Sequence, residues 1–297
     1  MSDAYMGIPW GHFKKFIALE ADRFALLQSI LEEAGLEYKI ATISGNRHFF
    51  VAPPPPEEEF LRRRLTILVA HYDRTPGSPG ANDNSASVFI LIETAMKLMK
   101  AKANNWLIIF SDKEELKPGE TIQDQGAYTL ASGFRDAGME NAWIYSFDAC
   151  GTGDTLIISN TVELMLKGEG NQAKEKIRAS IQELREKALV TARDLRMGKV
   201  LLAPTPFSDD AGFFRAGVAA QTITMLPSEE CANLVSTLRR NPQFAEALIS
   251  QEEQELHYRR LIPETWRSLN SPSDSHLRLT PQNFRTVVRF AEALCKG

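Results

Sequence analysis

The chain is short of cysteine, of long apolar runs and of any excess of one charge, and each shortage excludes something. Its three cysteines, Cys150, Cys231 and Cys295, are odd in number and widely scattered. That rules out a disulfide framework, and without C-x-x-C spacing they offer no zinc or redox motif, so buried free thiols are expected. No segment approaches the roughly eighteen uninterrupted apolar residues that a membrane span needs. The opening MSDAYMGIPWGHFKKF lacks a basic start followed by an apolar stretch, so a cytoplasmic protein is expected. With 34 Lys+Arg against 38 Asp+Glu, the net charge is -4. No broad basic field is available for a nucleic acid partner.

What is present is a composition typical of globular chains, 43% hydrophobic and 24% charged over 297 residues. Leu65 to Ala70 (LTILVA) and Trp106 to Phe110 (WLIIF) are short, branched, apolar runs that read as buried strands. Between them, Val88 to Lys100 has helical spacing, which makes a β-α-β unit. A helix is expected from about Phe16 to Glu37, stopped at Gly35, and a strand through His48 to Val51. The prolines from Pro53 to Pro56, followed by three glutamates, read as a solvated loop. Further helices are expected near Gln125 to Ala137 and Pro281 to Leu294, and strands at Ala142 to Phe147, Thr155 to Ser159 and Ala219 to Met225. Gln172 to Met197 reads as one long exposed helix with pairs such as Glu183 and Lys187. Strands alternating with helices imply an α/β fold with a largely parallel sheet covered on both faces. One domain spanning 1–297 is expected, with a helical insertion near 161–204.

In open α/β sheets, functional residues gather beyond the carboxyl ends of the strands, and there this sequence places its acids. His71-Tyr-Asp73 follows the first buried strand directly, so His71 and Asp73 project to the same side. A metal-bound imidazole gives its other N–H to a carboxylate, and Asp73 is spaced for that role. Next, the loop Gly77 to Ser87 (GSPGANDNSAS) delivers Asp83 at the start of a helix, where Asp83 or Asn84 is also a natural N-cap. The second strand ends in Ser111-Asp-Lys-Glu114-Glu115, and a third ends at Asp148. An unpaired charge closing an internal strand is costly, so Asp148 requires a metal or a basic partner. One histidine and several carboxylates thus converge on one sheet edge. Mixed nitrogen and oxygen donors suit zinc or a similar ion, and two ions about 3.5 to 4 Å apart would polarise a carbonyl and activate water together.

In order and approximate spacing, HYD, GANDNSAS, FSDKEE and FDACGTGD resemble the metal-binding blocks of the co-catalytic di-zinc aminopeptidases. That family includes secreted bacterial aminopeptidases and relatives of the glutaminyl cyclases. The likeness covers roughly 65–159, with a weaker echo at Phe207 to Val218. It implies a zinc-exopeptidase-like fold, three-layer αβα around a mostly parallel, mixed sheet. It also implies a metal-dependent aminopeptidase that removes N-terminal residues from peptide substrates with one or two divalent ions, zinc first among them. Carried over residue by residue, His71 and Asp148 bind the first metal, Asp83 bridges both and Glu115 binds the second. Asp73 orients His71, and Glu114 is the general base.

The departure is at Asn270-Ser-Pro-Ser-Asp-Ser-His276. There the resemblance expects a histidine for the second metal at the position of Asn270. A neutral amide oxygen binds zinc less well and favours harder ions. His276 replaces the missing ligand only if the loop folds back. The expected Ser/Thr-Asp-His likewise reads Ser208-Asp209-Asp210. Two other readings therefore stand beside the peptidase: a non-catalytic, peptide-binding descendant of the fold, and a single-metal enzyme of glutaminyl-cyclase type. Nothing in the sequence fixes an oligomeric state.

Overall fold

The computed structural model of the protein describes residues 9–54, 64–166, 171–249 and 256–296. Most of the proline and glutamate loop expected after Pro53 lies outside the described residues. One sheet is built from β1 (Tyr38–Ile43), β2 (Asn46–Val51), β3 (Thr66–His71), β4 (Trp106–Ser111), β5 (Trp143–Phe147), β6 (Thr155–Ser159), β7 (Val200–Ala203) and β8 (Ala220–Leu226). Their spatial order is β1-β2-β4-β3-β5-β8-β6-β7. The pairs β3/β4, β3/β5, β5/β8 and β6/β7 are parallel, whereas β1/β2, β2/β4 and β6/β8 are antiparallel. The sheet is mixed, with its parallel part at the centre.

β3, β4 and β8 are buried at every position because helices cover both faces. Side chains alternate across the pleat. Leu68, Ala70, Ile108 and Phe110 enter one apolar layer, beneath the helices Trp10–Phe16, Arg23–Glu33, Ser87–Lys100, Gln172–Asp194 and Phe284–Lys296. Ile67, Val69, Leu107 and Ile109 enter the other, against the helices Gly126–Asp136 and Asp209–Arg215. The Phe284–Lys296 helix buries Phe284, Val287, Val288, Ala291 and Leu294 along one stripe, the large ones worth about 1.5 to 3 kcal/mol each.

Three expectations change. The helix expected from Phe16 to Glu37 is shorter: an earlier helix, Trp10–Phe16, ends where it was expected to begin, and it starts only at Arg23, capped by Asp22, whose carboxylate accepts from the Ala25 N–H, and runs to Glu33. The Gln172–Asp194 helix is not free in solvent: Ile181, Leu184, Ala188 and Ala192 are buried against the sheet layer. Its Glu183 pairs with Arg64, and Lys187 sits 4.0 Å over the Trp143 ring. Finally, β1 and β7 go unforeseen: both are half-exposed edge strands, β1 without a continuous apolar run and β7 only four residues long. No helix among the described residues is long and apolar enough to cross a membrane.

Candidate metal centre

His71 closes β3, and its side chain is fully buried. Its Nδ1 lies 3.3 Å from Asp73 Oδ1, and its Nε2 lies 3.2 Å from Asp83 Oδ1 and 3.7 Å from Asp148 Oδ1. Neither nitrogen has hydrogen-bond geometry to these oxygens. Donor atoms of His71, Asp83 and Asp148 lie within 4.8 Å of one another, the one such group among the described residues. Burial works against a charged imidazole, but Asp148, Asp73 and Asp83 outweigh it and raise the His71 pKa well above its ordinary value.

Asp83 is held by a loop with little freedom. The helix Ser87–Lys100 follows it, yet neither Asp83 nor Asn84 caps that helix by its side chain. Asn84 instead donates from Nδ2 to the Phe147 carbonyl at 2.8 Å, and the Asn82 amide oxygen accepts from Gly151 N–H at 2.7 Å. Asp274, from the turn that begins at Asn270, accepts the backbone N–H of Asn82 at 2.8 Å and of Asp83 at 3.0 Å. Behind the loop, the buried Arg23 donates to the carbonyls of Tyr72, Asp73, Pro79 and Gly80 and to Ser85 Oγ. Gly80 has φ +58, and a Cβ there would stand 2.7 Å from the Arg23 guanidinium, so the close approach requires glycine.

The next strand end supplies two glutamates. Asp73 accepts the backbone N–H of Glu114 at 3.1 Å and of Glu115 at 3.0 Å, so one carboxylate joins the β3 and β4 ends beside His71. Gln125 Nε2 donates to Glu114 Oε1 at 3.1 Å. Asp83, Glu114, Glu115, Asp148 and Asn270 line one cavity of about 330 Å³, with Leu116, Phe207, Trp266 and Leu269 as its apolar wall. His276 opens a short 3-10 turn and does not line this cavity.

Burial sets the electrostatics. It pushes Glu114 well above the usual carboxylate range, with Glu115 and Asp148 adding to the effect against the pull of His71. It pushes Glu115 up to about 8, helped by the charge of Asp83. Asp209 and Asp210 are each raised to about 7, again chiefly by burial. Asp209 Oδ2 accepts from Ser111 Oγ at 2.9 Å. So many buried acids with a single imidazole are short of positive charge, and a divalent cation supplies it. The donor set fits one: both His71 nitrogens and Asp148 Oδ1 are buried without a hydrogen-bond partner, and nitrogen with carboxylate oxygen suits zinc or a similar ion.

His12, His48 and the three cysteines do not line this cavity. His48 is buried and accepts the Asp112 N–H at 3.1 Å, burial lowering its pKa to about 4. His12 sits 3.0 Å from Glu33. The Cys150 thiol donates to the Ile223 carbonyl at 3.2 Å, and all three cysteines are free and buried. Arg23, Gln125 and Thr75 were not legible as site residues, since Arg23 and Thr75 reach the site through contacts distant in sequence and Gln125 turns back onto Glu114 from the start of the next helix. Asp274 had a weak signal, the Pro-x-Asp turn.

Residues 51–255 match the family described as Peptidase family M28. No curated protein matches the chain. Among solved structures, a leucine aminopeptidase precursor from Bacteroides thetaiotaomicron superposes with a TM-score of 0.63 at 14% identity, over 97% of this chain and 95% of that one. A glutaminyl cyclase from the same organism, bound to N-acetylhistamine, gives 0.63 at 15%, over 97% and 96%. BSAP, a zinc aminopeptidase from Bacillus subtilis, gives 0.52 at 16%, over 84% of this chain and 48% of that one. The chain thus spans about half the length of BSAP and of the Aneurinibacillus aminopeptidase it also matches. At these identities the likeness establishes the fold.

Proposed function

The chain belongs to peptidase family M28, and from that premise we propose that it is a metal-dependent exopeptidase releasing N-terminal residues from peptides. One observation carries this reading: Asp83 and Asp148, whose donor atoms lie within 4.8 Å of that of the buried His71, line a cavity that Glu114 also lines. His71, Asp83 and Asp148 hold the ion, with Asp73 fixing the His71 ring from the Nδ1 side. Zinc or a similar cation supplies Lewis acidity when bound, polarising a peptide carbonyl and acidifying water.

Glu114 handles the proton. It accepts one from water as the water oxygen bonds to the carbonyl carbon, and returns it to the amine nitrogen as the C–N bond breaks. Burial, which raises its proton affinity, suits it to both halves of that task. Gln125 occupies Glu114 Oε1, leaving Oε2 for the transfer. Leu116, Phe207, Trp266 and Leu269 receive an apolar side chain and exclude water.

The test is to load the full chain with zinc, manganese or cobalt and follow aminoacyl amides and short peptides by mass spectrometry. Release of the N-terminal residue is expected. Absence of hydrolysis with all three metals would count against the proposal, and cyclisation of an N-terminal glutaminyl peptide without cleavage would replace it with cyclase chemistry.

A further inference from the structure

The cavity that Glu114 lines has a polar bottom as well as an apolar wall. Thr205, Ser208, Thr222 and Thr224 line it, and each is at most 3% exposed. Leu116, Phe207 and Leu269, which form the wall with Trp266, are only half-buried. A side chain entering from solvent therefore passes the apolar wall first and meets the hydroxyls last. Thr222 and Thr224 are two apart on β8, so both stand on the face that carries Ala220 and packs against the Asp209–Arg215 helix.

What the bottom offers is chiefly acceptors. The Thr224 hydroxyl donates to the Ala149 carbonyl at 3.3 Å, which leaves its lone pairs free for the cavity. The Thr222 hydroxyl is buried without a hydrogen-bond partner, and so are both carboxylate oxygens of Asp210. Asp210 lies just behind, beside Thr222 and the Ser208 backbone, and the leading charges that act on it, Asp148 and Asp209, are both negative. It is also the acid that stands where a histidine was expected. Among the described residues that line the cavity, none is lysine, arginine or histidine, and the charged ones, Asp83, Glu114, Glu115 and Asp148, are all acids. Water can satisfy a buried hydroxyl. A buried carboxylate surrounded by other carboxylates needs a positive charge as well.

We propose that this cavity selects a basic N-terminal residue, lysine or arginine, whose aliphatic stem lies on the apolar wall while its charged end reaches Thr222 beside Asp210. Long basic side chains divide into an apolar stem and a polar head in this way. An acidic side chain would bring a further carboxylate to a bottom that has no basic partner for it, and is rejected. The inference rests on the aminopeptidase reading and names the substrate class of the same site.

The metal-loaded full chain is given lysyl, arginyl, norleucyl and glutamyl amides, and kcat/KM is measured for each. Norleucine keeps the stem of lysine without its charge. The lysyl and arginyl amides should exceed the norleucyl amide by about 10-fold or more, with the glutamyl amide slowest. Asp210→Asn and Thr222→Val should each lower the lysyl-to-norleucyl ratio by about 5-fold or more. A purely structural role would slow both amides by the same factor and leave the ratio unmoved. Equal wild-type rates for lysyl and norleucyl amides overturn the proposal, and so does a ratio unmoved in both variants. Should one variant fail to fold, the other and the wild-type ratio decide. Norleucyl hydrolysis without a lysyl preference would overturn the specificity and leave the peptidase reading standing. With no amide hydrolysed, that reading falls, and calorimetry of lysinamide against norleucinamide on the metal-loaded chain decides the basic subsite: tighter lysinamide supports it, equal affinity overturns it.

Discussion

Replacing Arg23 with alanine should unseat the metal centre from behind. The guanidinium is buried under the loop that carries Asp83, and it donates to the carbonyls of Tyr72 (3.1 Å), Asp73 (2.9 Å), Pro79 (2.8 Å) and Gly80 (3.1 Å) and to Ser85 Oγ (2.8 Å). Four of these acceptors are backbone oxygens, which cannot turn away without moving Asp73 or Asp83. A buried acceptor left unpaired costs about 1 to 3 kcal/mol. The sum is tempered because burying Arg23 is itself costly. Burial and the charge of Arg74 lower its pKa to about 9, against the pull of Asp73, Asp83 and Asp274. Removing one member of a buried charged network typically costs about 3 to 5 kcal/mol, which is the loss expected for Arg23→Ala. Arg23→Lys should recover only part of it, since an ammonium cannot span five acceptors in a fork. Urea unfolding of the metal-free protein measures the stability, and competition with a chromophoric chelator measures zinc affinity, expected to fall about 10- to 100-fold. A stability loss below about 1 kcal/mol, or a destabilised protein with unchanged zinc affinity, would refute the reasoning.

Asp274→Asn should weaken zinc binding about 10-fold or more, because an amide group replaces one of the two oxygens that accept from Asn82 and Asp83; unchanged affinity in the same competition assay would contradict this. Gly153→Ala should lower Tm by at least about 6 °C, since Gly153 has φ +108 and a Cβ would lie 2.0 Å from the Leu226 carbonyl carbon; calorimetry showing an unshifted Tm would count against it. Lys199 and Ser228 hold the Asp154 pKa down at about 2. That folded value lies below the unfolded one of about 3.9, so the stabilisation is present above pH ~4 and lost as pH falls through about 2. Because the Asp154 side chain is 38% exposed, its worth is under about 1 kcal/mol. The stability gap between wild type and Asp154→Asn, read by urea unfolding, should shrink from pH 6 toward about pH 2.5, and a constant gap would argue otherwise.

The central strands were legible because burial on both faces leaves continuous apolar runs, as in ILVA of β3 and WLIIF of β4. The acids were legible for a topological reason: His71, Glu114, Glu115 and Asp148 each stand at or just past the carboxyl end of a strand in a parallel array. What escaped was carried by long-range contacts. Arg23 reaches Ser85 across 62 residues, Asp274 reaches Asn82 across 192, and Thr75 reaches Asn270 across 195. None of these has a local spacing to betray it. β1 escaped for a different reason, since its burial alternates only weakly and its partner β2 faces it across the sheet edge. Asn270 shows the two levels meeting. The sequence marked it as an amide where an imidazole was expected, and only the fold revealed Thr75 between it and Glu115.

The central claim is that Glu114 moves protons for a metal centre built on His71, Asp83 and Asp148. Glu114→Gln keeps the side chain's size and its place beside Gln125 while removing its basicity. Hydrolysis of an aminoacyl amide by the metal-loaded variant, measured together with its metal content, tests the claim most directly. The account predicts a kcat lower by about 100-fold or more, with the metal content unchanged. A Glu114→Gln protein that retains its metal and hydrolyses the substrate at the wild-type rate would contradict it.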